Sequence, residues 1–433
     1  MYPTLYHAFV DLFGIELSGL KFLNSFGFFV ALAFLAAGWT LRLELQRRTA
    51  LGQIANTTTT VTEGAPAKPL DLFLNGLMGF ILGWKVSYML MNWSEVTASP
   101  PTFLLSGKGY FLPGLLVGLG FAYWMWRDAQ KNRLAQPKQR TVTLTPAAHV
   151  GNITLTAALW GFIGAKLFHW IETPGDFLKF IQNPSGDGII SGLTMYGGLI
   201  VAGFMVIRYF RKHGLAVLPS MDSAAPGLML AYAIGRIGCQ VSGDGDWGIV
   251  NSAYLTNPDG TVATATIDQV RSEIEGHAAF YAHHFGSTES VPMKAVVAPS
   301  FLPEWAVAYA YPHNVNSVGM EMDGCEGTFW GDHCAALPLP VFPTPLYEVI
   351  VCGLFAALLW AIRKRLRVPG MLFAVYLMLN GFERFWIEKI RVNEPFLGPI
   401  TQAEVISTLL FLLGVAGLLW LKRRASHGPE AAH

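Results

Sequence analysis

Apolar residues along this chain run in unbroken stretches of about twenty, with polar residues collected between them. The stretches lie at roughly 22 to 42, 70 to 92, 109 to 126, 150 to 171, 193 to 210, 221 to 241, 344 to 362, 369 to 387 and 402 to 421. About 20 residues of helix cross the hydrocarbon of a bilayer, so the pattern predicts an all-α, polytopic membrane bundle of about nine transmembrane helices. Residues 1–21 interleave Phe, Leu and Tyr with Asp11, Glu16 and Lys21, which predicts an interfacial amphipathic helix. That segment lacks a basic n-region and a small-residue cleavage site, so it is expected to stay in the mature chain. Residues 242–343 break the pattern with Pro, Tyr and charge, and predict an extramembrane insertion. The expected organisation is thus 1–21 interfacial, 22–149 a first span plus an extra helix pair, 150–241 a transmembrane core, 242–343 the insertion, 344–425 the rest of the core and 426–433 a tail.

Composition fixes the class. With 433 residues, 52% hydrophobic and 14% charged, and a mean hydropathy of +0.39, the chain is too apolar for an ordinary soluble domain. A net charge of +1 offers no basic excess for a phosphate backbone, which argues against nucleic acid as a partner. The basic residues fall in every second loop: Arg42, Arg47 and Arg48; Arg127 to Arg140; Arg208, Arg211 and Lys212; Arg363 to Arg367; Lys422 to Arg424. By the positive-inside rule these loops are cytoplasmic, which puts the N-terminus and the insertion outside and the C-terminus inside. The Thr-, Ala- and Pro-rich stretch 51 to 69 is expected to be a flexible cytoplasmic loop.

One internal repeat is visible. "GFILGWKVSYML" from Gly79, followed by "LLSGKGYFLPGLLVGLG", echoes "GFIGAKLFHW" from Gly161, followed by "IISGLTMYGGLIVAG". Each unit is a helix with a lysine, an outer loop with Ser-Gly, and a Gly-rich helix ending in basic residues. Internal repeats also mark transporters, but this one covers two helices only and reads as parallel.

Ionisable groups then single out the outer ends of the spans. They are Lys166 and His169, Arg236 with Asp244 and Asp246, Tyr347 with Glu348, and Glu383, Arg384, Glu388 and Arg391. Arginine in hydrocarbon costs about 2.5–3.5 kcal/mol on insertion scales, so Arg236 is read as facing a polar cavity. Gly235 and Gly238 flank it and leave room for a ligand. Arg384 and Glu388 share one helix face and would pair. Two arginines near one membrane face make a clamp for a phosphate, because guanidinium is a permanent, forked donor.

These residues resemble the prolipoprotein diacylglyceryl transferase family. The likeness rests on "MDSAAPGLMLAYAIGRIGCQVSGDGDWG" (221 to 248), "MYGGL" from Met195, "PTPLYE" ending at Glu348 and "GFERFWIEKIR" from Gly381. It implies a seven-helix core, here enlarged to nine by the duplicated pair, in a bacterial cytoplasmic membrane. It also implies transfer of diacylglyceryl from phosphatidylglycerol to the lipobox cysteine of a preprolipoprotein, with release of glycerol phosphate. Neither a cofactor nor a metal is implied. Arg236 and Arg384 would then hold the phosphate, with Glu388 orienting Arg384 and Asp244 near the family's usual glutamate. Lys166, Gly197, Gly198, Cys239, Gln240, Gly248, Tyr347 and Arg391 would contact substrate.

Departures raise an alternative, a catalytically silent relative that binds phospholipid or lipoprotein. Tyr196 stands where the family has a histidine, and Cys239 where it has an asparagine. Tyrosine, with a reference pKa of about 10, is a poor base unless a cation lowers it. His169 is a substitute candidate. In the insertion, Cys325 and Cys334 are expected to form a disulfide in an oxidising compartment. His283, His284, His313 and His333 leave zinc as the other reading, though no standard ligand spacing is present.

Overall fold

The computed structural model describes residues 1–98, 103–104, 106–182, 192–392, 395–398 and 400–426. Of the features read from sequence, Leu105, Ile189, Ile190 and Ser191 of the repeat and the tail beyond Ser426 lie outside the described residues. Among those described, nine helices have 18 residues or more. They are α1 (Ser25–Ala50), α2 (Pro69–Met91), α3 (Phe111–Lys131), α4 (Val150–Glu172), α5 (Met195–Lys212), α6 (Val217–Ser242), α7 (Thr344–Ile362), α8 (Met371–Glu388) and α9 (Gln402–Ser426). By length and apolar composition alone, 5 helical segments qualify as membrane-crossing: α1, α2, α4 with the turn before it, α7 and α9. The fold is not purely helical, since four two-stranded sheets are also present.

The chain forms two compact units, one of Met1–Glu44 with Leu218–His433, the other of Leu45–Val217. In the second unit α2 packs on α3 and α4 on α5, each pair through glycines. A Cβ on Gly83 would lie 2.7 Å from Val117, and one on Gly164 would lie 2.6 Å from Val201 and from the Gly197 carbonyl. Helices approach this closely only where side chains are missing, the usual packing device in lipid. The two pairs share a stitch: the carbonyl before each repeat lysine, Trp84 or Ala165, accepts the N–H of Tyr110 (3.2 Å) or Thr194 (3.1 Å). Tyr110 and Thr194 are the N-caps of α3 and α5, so the sequence repeat corresponds to one repeated architecture.

The stretch read as a flexible loop is instead partly a strand. Thr57–Glu63 pairs antiparallel with Lys138–Leu144, in register from Thr57 opposite Leu144 to Glu63 opposite Lys138. Four consecutive threonines and a valine suit an extended chain, because β-branched side chains restrict χ1 and pack well on a pleat.

In the first unit Ala225, Met229 and Ala233 of α6, Cys352, Ala356 and Leu359 of α7, and Leu372 of α8 form one core. Asp222 on α6 fixes the start of α8: its carboxylate accepts the N–H groups of Gly370 and Phe373, both at 2.8 Å. Gly370 has φ +95°, a left-handed conformation, and a Cβ there would meet Leu421 at 3.0 Å. Glycine suits both constraints. Residues 243–343 carry a hydrophobic core of their own, built from Val250, Val270, Ile274, Tyr281, Tyr311, Leu339 and neighbours. The N-terminal segment is a helix at Leu5–Phe13 whose far end exposes Leu12, Phe13, Ile15 and Leu17.

Candidate active site

Arg236 sits in the last two turns of α6, buried, between Gly235, with nothing within 4 Å of where a Cβ would stand, and Gly238, where a Cβ would lie 3.0 Å from Phe29. Its Nε is 3.0 Å from Glu348 Oε2, and its NH1 pairs with Asp246. Glu348 is the single charged residue in the apolar helix α7 and is fully buried. Arg384 of α8 reaches the same carboxylate, NH1 to Oε1 at 3.4 Å, and holds Glu388 one turn on at 3.0 Å. Arg391, just past α8, pairs with Asp246 and approaches Glu348 at 3.7 Å. Tyr232, one turn before Arg236, donates its hydroxyl to Glu348 Oε1 at 2.8 Å. Thr401 donates to Glu388 Oε1 at 2.8 Å. Three guanidiniums and three carboxylates thus interlock around Glu348, and a buried charge is tolerated only when paired in this way.

The loop after α6 completes the cluster. Burial pushes the Asp246 carboxyl up, but Arg236 and Arg391 outweigh it and hold the group well below the usual carboxylate range. Asp244 behaves oppositely: burial, and then the Asp246 charge, raise it. Its side chain accepts the Asp246 N–H at 3.3 Å and pairs with no arginine among the described residues. Gly248 donates to the Phe342 carbonyl at 2.9 Å, and a Cβ there would lie 2.7 Å from the Ile390 carbonyl. Only glycine lets these three segments meet, which brings Arg391 beside the loop. Cys239 Sγ lies 3.7 Å from Arg236 NH1. Gln240 accepts the Tyr311 hydroxyl at 3.0 Å, and Tyr347 donates to the Ala306 carbonyl at 2.7 Å. Both therefore tie helices to residues 243–343.

The remaining residues picked from sequence belong to the second unit. Lys166 is buried in α4 with its ammonium over the Trp170 ring, 5.2 Å from the centroid. His169, one turn on, lies 3.6 Å from Asp176 and is packed against Gly192. Gly197 and Gly198 open α5 and carry the contact with α4, while Tyr196 precedes them at its first turn.

Sequence reasoning named Glu348 and Asp246 among the ionisable groups but kept neither in the site. The available signal for Glu348 was a lone carboxylate within an apolar span, which is costly without a partner. Cys325 and Cys334 are joined as a disulfide. The histidines nearby stack rather than chelate: His313 lies 3.8 Å from the Trp330 ring centre at 5°, and His7 stacks on Trp330 at 5.5 Å. Among the described residues no three His, Cys, Asp or Glu are grouped so as to hold a metal ion.

Residues 110–420 match the model of a family described as prolipoprotein diacylglyceryl transferase. Curated proteins named phosphatidylglycerol–prolipoprotein diacylglyceryl transferase are similar along most of the chain. One from Corynebacterium glutamicum is 26% identical over 320 residues, covering 73% of this chain and 79% of its own. One from Geobacillus kaustophilus is 26% identical over 74% and 90%, and one from Dehalococcoides mccartyi 26% over 78% and 98%.

Proposed function

Because the chain belongs to the prolipoprotein diacylglyceryl transferase family, we propose that it transfers a diacylglyceryl group from phosphatidylglycerol to the lipobox cysteine of preprolipoproteins, releasing glycerol phosphate. The observation that carries this reading is the convergence of Arg236, Arg384 and Arg391 on the buried Glu348. Lipid phosphate exchanges with these carboxylate contacts and is gripped by Arg236 and Arg384, whose forks match its oxygens. The substrate sulfur attacks the glycerol carbon that bears the phosphate. A C–S bond forms, the C–O bond breaks, and its electron pair passes to the phosphate, where the guanidiniums stabilise the growing charge. Asp244, its carboxyl raised by burial, accepts the thiol proton. Glu388 keeps Arg384 in place, and Glu348 keeps all three arginines from scattering.

The same reading makes α1 to α9 nine membrane spans, with residues 243–343 and the arginine cluster at the outer face and the C-terminus in the cytoplasm. Alternation of the basic loops supports that polarity. Exposed Leu12, Phe13, Ile15 and Leu17 support an interfacial N-terminal segment.

The test is purified full-length protein with phosphatidylglycerol and a lipobox peptide, read for a thioether-linked diacylglycerol. Product is expected from the parent, and roughly hundredfold less from Arg236→Lys, the cost of one lost transition-state donor. No product from folded parent, or equal turnover by Arg236→Lys, overturns the reading.

A further inference from the structure

The far end of the same helices carries a second site. Between the end of α7, the start of α8 and the last turn of α9 lies a cavity of about 510 Å³, within the range of small-ligand sites. Its walls are apolar, including Leu366, Met371, Val375 and Leu418, and its only charged lining residues are Arg365 and Lys422. Neighbouring cations are occupied: Arg363 bonds Glu44 at 2.7 Å and stacks on Trp360, and Arg424 lies over Trp420. The side chains of Arg365 and Lys422 have no ion-pair or hydrogen-bond partner among the described residues.

An apolar cleft between helices, edged by two cations that pair with no described residue, has the polarity of a phospholipid with a net negative headgroup. Basic pockets between membrane helices on the cytoplasmic side bind such headgroups. We propose that this cleft is a second lipid site, which holds one anionic phospholipid with its phosphate between Arg365 and Lys422 and an acyl chain along Leu366, Met371, Val375 and Leu418. The inference rests on the membrane reading given above and not on the transfer chemistry. The lipid held here is not the one that reacts. Met371 precedes Arg384 by thirteen positions on α8, about 20 Å at 1.5 Å per residue.

Native mass spectrometry of the delipidated full chain tests the proposal, with phosphatidylglycerol or phosphatidylcholine added and no acceptor peptide. The count is made in an Arg236→Ala background, so that lipid at the arginine cluster does not enter it. One phosphatidylglycerol is expected to remain bound, with affinity about 30-fold weaker in Arg365→Ala/Lys422→Ala, roughly fivefold for each cation. Arg365→Lys keeps the lipid, and Met371→Trp, which fills the cleft and leaves both charges, loses it. Equal retention by the double variant, equal retention of phosphatidylcholine, or displacement by free glycerol phosphate overturns the proposal. The last result would mark a plain anion site. None of these outcomes bears on transfer activity.

Discussion

Glu348 is the residue on which the arginine cluster depends. Three guanidiniums meet it, and removing one partner of a buried charged pair leaves the others uncompensated, at a cost of about 3–5 kcal/mol. Glu348→Ala is therefore expected to lower both the thermal midpoint of the purified protein and its turnover. An unchanged midpoint would show that the pairing is not structural. Asp222 makes a smaller prediction of the same kind. Losing its two bonds to the start of α8 should cost about 0.5–2 kcal/mol in Asp222→Ala, as at other helix caps, readable as a lower midpoint with little change in KM. Tyr196 is tested by deleting only its hydroxyl. Turnover of Tyr196→Phe should fall at least about tenfold, the lower end of one lost charge-assisted hydrogen bond, and Tyr196→His should stay active. Parent-like Tyr196→Phe would remove that hydroxyl from the reaction, and an inactive His169→Ala beside it would transfer the proton role from Asp244 to His169. Arg236 was legible in the sequence because arginine is conspicuous among apolar residues. Its partners were less so, since Glu348 is 112 positions away and Asp244 and Asp246 look alike until the fold points one of them at the arginines.

Among the elements, the long helices were the most legible, because long apolar runs leave a helix few alternatives once water is gone. The strand Thr57–Glu63 was missed for the opposite reason. Its partner lies some 80 residues on, and pairing at that distance leaves no local mark beyond β-branched residues. Small residues between helices give an element-scale prediction. Gly164→Leu would push a side chain into the Gly197 carbonyl and Val201, where strain cannot relax without parting α4 from α5. Yield of folded protein from membranes should drop severalfold, whereas Gly203→Leu, with nothing within 4 Å of its Cβ, should behave as the parent.

For the molecule as a whole, acid is expected to loosen the region around the disulfide. Burial, with repulsion from His333 and Lys21, depresses His7 to about 4, and burial also lowers His313 and His333. A histidine depressed in the folded state binds fewer protons than in the unfolded one, so its contribution is full above about pH 6.5 and is lost as pH falls towards 4. Protease resistance of residues 243–343 should decline across that window, and less so in His7→Phe, which keeps the ring against Trp330. A flat profile in the parent would remove the histidines from the account. The way one compact unit is divided along the chain has a consequence in time. α1 lies against α6 from Phe26 to Thr40, with Gly227 against Thr40 and Gly238 against Phe29, yet residues 45–217 must be made between them. At roughly 5–20 residues per second, the first helix waits some ten to thirty seconds on the ribosome before its partner exists. During that interval its glycine-matched face, meant for protein, is held by lipid or by the insertion machinery, and synthesis rate rather than sequence sets how long the nascent chain stays exposed to that risk.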